Sequence, residues 1–418
     1  MSNALAEHYF RHSYSVLVAA LCRQFGTDHL DLIEDAVQSA LLEAMQRWRK
    51  GAPDNPTAWL KRVARNRMLD HFRHKQVVDQ AEPLLHLQHD EPVLAPEDRI
   101  DERGLSDEVL RLMFVVCHPA LGHRAQIMLA LKHLCGFSND EIARGLLMSR
   151  EAIKKQLQRA ARQLRELQAG FDLPPASELN ARIAMVHRVL YMVFSEGYSS
   201  ASAEQVIRED VCAEAARMTH LLATHPLGSR DTRALLALMM LHAARLPARV
   251  DLHGNTILLA EQDRTLWDKA VIREAAVWLK ASYPESDPSG AVGRYQLEAL
   301  IAFLHCNAAH FDDTPWAAIV QCYDALVRGH DSLVYRVNRA IAIALHQGTA
   351  EALSELDKLS QDHPLYPGLA CARVWLLERR GDTAEALAIC EGLLNSKLAP
   401  HEQRLIEQHC QRLRHCTS

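Results

Sequence analysis

The sequence is poor in the residues that interrupt helices. Glycine and proline supply only 17 and 16 of 418 residues, and few segments alternate apolar with polar side chains at period two, so a sheet-based architecture is not expected. No apolar run approaches the ~20 residues that span a bilayer, and the N-terminal "MSNALAEHYFRHSY" lacks a signal-peptide core. A cytoplasmic chain without membrane contact is expected. The ten cysteines include no CxxC pair, which argues for reduced, mostly buried thiols rather than a disulfide framework. The "HC" at 409–410 recurs at 415–416 and reads as a frayed terminal helix in preference to a metal site. Phosphate-loop, HExxH, GxSxG and glycine-fingerprint motifs are missing. Neither catalysis nor a cofactor or metal is expected.

What is present is helical sequence in quantity, with charge sorted along it. Nearly half the residues are hydrophobic, and the formal net charge is −5. That total hides segregation. Residues 47–75 carry nine Lys and Arg against Asp54 and Asp70, residues 77–102 carry eight acids against Arg99 alone, and residues 107–166 carry ten bases against six acids. Blocks of alternating sign suggest parts that meet different partners.

Residues 7–50 read as two helices broken near "GTDHLD". The second, "LIEDAVQSALLEAMQRW", has Ile33, Val37, Ala40, Leu41, Ala44 and Trp48 at helical spacing and presents Glu34, Asp35, Gln38 and Glu43 outward. "KGAPDNP" is a turn, and Pro56 suits the first turn of the basic helix after it. In that helix, "NPTAWLKRVARNRMLDHFRHKQ", Lys61, Arg62, Arg65, Asn66 and Arg73 fall within an arc of roughly 140°. Leu60, Val63, Ala64 and Met68 occupy the other side. Phe72 and Leu69 sit among the basic residues. Residues from about 77 to 105 hold three prolines, many acids and little periodicity, as a linker does.

Residues 137–166, "FSNDEIARGLLMSREAIKKQLQRAARQLRE", carry the most specific local signal. Ser138 with Glu141 has capping-box spacing for a short helix, and Ser149 suits the cap of a second. There Ile153, Leu157, Ala160 and Leu164 fall within about 60° while Lys154, Lys155, Arg159, Arg162 and Arg165 occupy the opposite half. Short helix, turn and basic helix make a helix-turn-helix candidate for a major groove. An amphipathic helix with a solvated basic face is the alternative for either basic helix taken alone. Two in one chain, separated by acids, favour nucleic acid.

These three segments, in this order, resemble bacterial RNA polymerase sigma factors of the extracytoplasmic-function type, over about 165 residues. The first two match region 2 and the third region 4. Residues 180–418, with "VLYMVFSEGYSS", "LLALMMLHAARLPARVDLHGNTILLAEQDRTLWD" and "GRYQLEALIAFLHC", resemble the subgroup with a long helical C-terminal extension. The resemblance implies that Glu34, Asp35 and Gln38 dock on the polymerase β′ subunit and that the β subunit is also a partner. Lys61, Arg62, Arg65, Asn66 and Arg73 would contact promoter DNA at the −10 box, with affinity that falls steeply with salt. The loop 49–56 would capture an extruded base, and Phe72 would stack on DNA. Trp48 and Trp59 read as core. Arg150, Lys154 and Lys155 would reach bases or adjacent phosphates of the upstream (−35) element, and Arg159 and Arg162 would hold phosphates. The acidic linker would thread the polymerase channels, or serve only as a connector. Leu147, Lys155 and Gln156 depart from residues common in the family.

Near the end, "NRAIAIALHQGTAEALSELDKL" (338–359) and "ACARVWLLERRGDTAEALAICEGLL" (370–394) align Gly348 with Gly381 and "AEAL" with "AEAL" at 33 to 34 residues, the period of a tetratricopeptide repeat. "RVDLHGNTILL" at 249–259 reads as a small β-hairpin. Arg245, Arg249, Glu261, Asp263, Arg264 and Trp267 around it form a dense charge cluster. It reads as an ion-pair network fixing the hairpin, or as a ligand site. Tyr295, Gln296 and His305 are expected to be buried and hydrogen-bonded. The expected fold is all-α: a region 2 domain at 1–78, an acidic linker at 79–105, a region 4 helix-turn-helix domain at 106–170, and a solenoid-like regulatory extension at 171–418 receptive to a protein or small-molecule signal. A helix-turn-helix regulator with a signal-binding scaffold, independent of core polymerase, is the rival expectation.

Overall fold

The computed structural model describes residues 3–48, 52–79, 102–146, 148–167, 170–198, 208–251, 256–283, 292–363, 366–394 and 400–417. The chain divides into two compact units, Met1–Val193 and Phe194–Ser418. The expected boundaries at 78, 105 and 170 all fall within the first of these, so the division lies beyond the expected start of the extension at 171, and most of the expected linker lies outside the described residues.

The first unit is built of helices α1 (Asn3–Phe25), α2 (Leu30–Arg47), α3 (Pro56–Asp79), α4 (Glu102–Val116), α5 (His123–Leu129), α6 (Asn139–Gly145), α7 (Arg150–Glu166) and most of α8 (Ala176–Tyr198), within which the division falls. Gly26 separates α1 from α2 at φ 85°, a backbone conformation that a side chain disfavours. Asn55 begins α3, its side-chain oxygen accepting from the Ala58 amide at 3.0 Å, with Pro56 in the first turn as anticipated. Leu60, Ala64 and Met68 of α3 and Ile33, Val37, Ala40 and Ala44 of α2 are fully buried. Their spacing explains why these two helices pair.

The capping box at Ser138 and Glu141 is present in both directions, and Ser149 caps α7 through the Ala152 amide. Ile153, Leu157, Ala160 and Leu164 are buried along α7. A five-residue π-turn, Ala130–Leu134, extends α5, closed by the Cys135 amide on the Ala130 carbonyl at 3.0 Å. Such widened turns occur often at functional sites. Lys132 and His133 lie buried within it.

The second unit comprises α9 (Glu209–Thr224), α10 (Arg230–Ala243), α11 (Lys269–Ala281), α12 (Arg294–Asn307), α13 (Trp316–Gly329), α14 (Leu333–Gln347), α15 (Thr349–Asp362), α16 (Pro367–Arg380), α17 (Thr383–Leu394) and α18 (Pro400–Thr417). The internal repeat is visible as two helix pairs, α14–α15 and α16–α17, turned at Gly348 and Gly381, both at positive φ. Ala352 and Ala386 are both fully buried at equivalent positions, as are Leu356 and Cys390. The alanines at 352 and 386 let the helices approach closely. The repeat extends to charge: Arg339 joins Asp324 (2.6 Å) and Glu355 (2.9 Å), and Arg373, 34 positions later in the sequence, joins Asp357 (3.1 Å) and Glu385 (3.3 Å).

The architecture is all-α. Among the described residues the expected hairpin amounts to one antiparallel bridge, Val250 with Thr256; residues 252–255, including the expected turn, lie outside them. The "HC" at 409–410 is not frayed. His409 and Cys410 are buried, and the His409 imidazole sits 3.3 Å from the Glu378 carboxylate. Apolar positions Ile406, Cys410 and Leu413 explain the docking of α18, because they repeat at helical spacing and bury together. Among the described residues, no helix is long and apolar enough to cross a membrane.

Candidate functional site

The acidic face of α2 is one stripe. At 100° per residue, Asp31, Glu34, Asp35, Gln38, Leu42 and Met45 fall within about 100° of one another. Its two ends differ. Leu42 and Met45 are 61% and 54% exposed and lie one helical turn apart, a small apolar patch on the surface of the helix. The sequence reading missed both, although the same angular projection that found Asp35 and Gln38 contains them.

At the other end, Asp31, Glu34, Asp35 and Gln38 line a cleft of about 700 Å3 whose opposite wall includes Lys132, Asp140, Arg150 and Lys154. The residues expected to meet polymerase thus share a cleft with two expected to meet DNA. Glu34 accepts from the Lys132 ammonium at 2.6 Å, and Gln38 donates to Glu34 at 2.8 Å. Lys132 is only 2% exposed. Burial raises the Glu34 carboxyl above the usual carboxylate range; Lys132 opposes this, and Asp35 and Asp31 add to it. Burial raises Asp31 also, against the pull of Arg165. The pair therefore holds the α2 carboxylate in place at a net desolvation cost.

Two further links join α1 and the turn after it to the helices downstream. Arg23 pairs with buried Glu108 of α4 at 3.0 Å, and Arg165 of α7 donates to the Asp28 carbonyl at 3.1 Å. Contacts at sequence separations of 85, 98 and 137 residues close the unit on itself.

The basic candidates fall into two groups. Arg73 lies 3.4 Å from Asp70, Arg150 3.4 Å from Asp140, and Arg162 2.8 Å from Glu166. Each of these pairs is solvent-exposed and worth little. Lys61, Arg62, Arg65, Lys154, Lys155 and Arg159 have no ion-pair partner among the described residues, and Asn66 is exposed. Arg65 and its neighbours Lys61 and Arg62 are half-buried, their stems lying against α3's surroundings with charge left over. Cations left without carboxylates on helical faces suit a polyanion.

Phe72 is placed otherwise than expected. Its ring stacks on Phe25 at 5.8 Å and meets His29 edge-on at 5.0 Å, so it fastens α3 to the α1–α2 turn. Trp48 and Trp59 are half-buried rather than core, packed edge-to-face at 5.4 Å beside a loop whose residues 49–51 lie outside the described ones. Leu147 lies outside them too. In the second unit Gln296 is buried as expected, donating to the Ser282 carbonyl at 2.7 Å. His305 is buried, but its Nδ1 finds no partner.

Two family models match parts of the chain, the second of them running across the division at Val193. Residues 10–77 match Sigma-70 region 2, and residues 182–283 match a family of unknown function, DUF6596. The chain is 35% identical over 376 residues to an uncharacterized protein of Rhizobium meliloti (strain 1021), covering 88% of this chain and 86% of that protein. No solved structure matches the chain. The region 2 match spans α2 and α3, the helices bearing the exposed stripe and the first basic face, and implies binding to core RNA polymerase and promoter DNA. The chain belongs to one family with that Rhizobium meliloti protein, and its N-terminal region 2 makes it sigma-factor-like, with a role in transcription initiation.

Proposed function

We propose that the chain is an alternative sigma factor of the extracytoplasmic-function type, acting in the cytoplasm, whose α2 stripe docks on the β′ subunit of core RNA polymerase. In this reading Asp35 and Gln38 supply charge and hydrogen bonds while Leu42 and Met45 supply the apolar centre that interfaces need. Helix α3 meets the −10 element through Lys61, Arg62, Arg65, Asn66 and Arg73. Helix α6, the turn and α7 form a helix-turn-helix in which Arg150, Lys154 and Lys155 face the −35 element and Arg159 and Arg162 hold phosphates. The β subunit contacts this second part. The observation that carries the reading is the exposed Asp35–Met45 stripe within the segment matching region 2.

The closed arrangement of the first unit gives the reading a mechanism. A stripe whose Glu34 is held by Lys132, and which faces Arg150 and Lys154 across the cleft, cannot be fully occupied by polymerase at the same time. Because burial already penalises the Glu34 carboxylate, the closure is one that a better partner displaces. The chain alone would then bind promoter DNA poorly, and polymerase would select the open form. The C-terminal extension regulates this equilibrium.

Co-purification with core polymerase tests the reading. Asp35→Lys, at an exposed site where the helix tolerates lysine, leaves the fold intact and abolishes association. Undiminished association of this variant would contradict the docking role. Promoter binding by the wild-type chain without polymerase, unaffected by Asp35→Lys, would favour the rival regulator.

A further inference from the structure

Among the described residues, Arg245, Arg249, Glu261, Asp263 and Arg264 do not pair with one another as the expected network around the bridge at 250–256 requires. Its acids and bases are sorted apart. Glu261 pairs with Arg412 of α18 at 2.8 Å, Asp263 turns onto the Thr265 amide and hydroxyl, and Asp268 caps α11. Arg245, Arg249 and Arg264 pair with no carboxylate within 4.0 Å among the described residues. Arg245 and Arg264 lie over the Trp267 ring at 5.5 and 4.7 Å, with Lys269 at 5.5 Å, and Trp267 itself is 2% exposed. Arg249 lies over the Tyr198 ring at 3.7 Å and donates to the Tyr198 carbonyl at 2.6 Å. Asp313 reaches Arg264 only at long range.

Several of the donors in this cluster are orphaned. Arg245 is 7% exposed, and its Nε has no hydrogen-bond partner; the same holds for Arg264 Nη2 and Trp267 Nε1. Cation–π contacts offset part of the cost of burying guanidiniums but satisfy none of these N–H groups. The imidazoles do not compensate. Burial and the neighbouring arginines hold His242 and His305 down at about 3, so both are neutral at physiological pH. The cluster is a concentration of fixed positive charge around a buried indole, with Arg245 buried and Arg249 and Arg264 half-buried.

An apolar cavity of about 420 Å3, lined by none of the three arginines, meets the cluster at His305, whose imidazole feels both Arg245 and Arg264. His305 belongs to both: it lines the cavity, while Arg264 donates to its carbonyl at 2.7 Å. Leu258, Leu259 and Ala260, just before Arg264, form one wall. Trp316, Tyr323 and Trp375 line the rest. The size and apolar lining suit a small molecule, and few polar groups converge there.

We propose that Arg245 and Arg264 bind the carboxylate or phosphate of a small organic anion whose apolar ring enters the adjoining aromatic cavity. Guanidiniums present paired donors that match either oxyanion, and desolvated charge makes the contact strong. This would be the input through which the extension receives a signal, and it stands whether or not the first unit acts as a sigma factor.

Thermal unfolding of the full chain, with sodium chloride matching ionic strength, tests the site. Phenyl phosphate and benzoate separate the two oxyanions; inorganic phosphate and benzyl alcohol test each half of the ligand alone. We expect phenyl phosphate or benzoate to raise Tm by about 3–6 °C at ten times Kd. Arg245→Gln removes this rise, yet without ligand melts no lower than wild type, because it relieves repulsion among the arginines. Arg245→Lys, which keeps the charge but loses the fork, binds at least fivefold more weakly. Four results would overturn the proposal: no rise with either anion, an equal rise with benzyl alcohol, an equal rise with inorganic phosphate, or a rise that persists in Arg245→Gln. If Arg245→Gln does not fold, the Arg245→Lys affinity decides, and an unchanged affinity overturns it.

Discussion

In the N-terminal unit Lys132 is buried and meets the Glu34 carboxylate at 2.6 Å, whereas in the C-terminal unit Arg245 is almost as deeply buried and meets an indole and other cations. The first unit satisfies buried charge internally, by closing one part of the unit on another. The second also satisfies buried Glu214, which meets Arg217 at 2.9 Å, but leaves Arg245 without a carboxylate among the described residues. An internally paired ion is released by opening the fold; an unpaired one is answered by a ligand. The same physics, the cost of a desolvated charge, underlies both proposals: a closure to be displaced in the first unit and a site to be filled in the second.

The largest expected effect tests whether the contrast resides in these ions or in the buried histidines, which the units share. Burial depresses His133 to about 3 and His187 to about 4 in the first unit, and His242 and His305 to about 3 in the second. Unfolded imidazoles take up protons below about pH 6.5. The folded ones remain neutral down to pH 3–4, so the unfolded state binds more protons across that window, and stability falls as pH falls. At pH 5 the loss is about 2 kcal/mol per histidine. Hydrogen exchange along α5, α8, α10 and α12 should show comparable losses in both units between pH 7 and 5. A loss confined to one unit would break the comparison.

A smaller effect sharpens the account of the exposed stripe. Leu42→Arg changes an exposed position, so stability should move by less than about 0.5 kcal/mol. Affinity for core polymerase should fall on the order of tenfold, about 1.4 kcal/mol. Unchanged affinity would remove the apolar part of the docking surface. The smallest effect concerns a single phosphate contact. Arg159→Ala, tested in the polymerase–promoter complex, should reduce the dependence of log K on log salt by about 0.9 while changing promoter preference little. A variant with altered preference and an unchanged salt slope would place Arg159 on bases instead.

Features written within a few residues were legible in the sequence. The caps at Ser138 and Ser149, the buried stripe of α7 and the glycine turns of the repeat follow from spacing alone, because a helix fixes which neighbours share a face. Phe72 was misplaced since the same spacing puts it among the basic residues, and only the fold shows that Phe25 and His29 meet it there. Lys132 gave no signal. Its partner is 98 residues away in the sequence, and sequence periodicity says nothing about which distant helices pack. The cluster at 245–267 was legible as a concentration of charge, but not as one sorted by sign. Pairing depends on where each side chain points, and Glu261 turns to Arg412, 151 residues on.

The most direct test of the internal closure is the affinity of Lys132→Met for core polymerase. This substitution removes the ammonium that holds Glu34 while keeping the stem's apolar volume. It leaves Asp35, Gln38, Leu42 and Met45 untouched. If closure competes with polymerase for α2, the variant, shown folded by circular dichroism, binds core polymerase several-fold more tightly than wild type. Equal or weaker binding by the folded variant would contradict it.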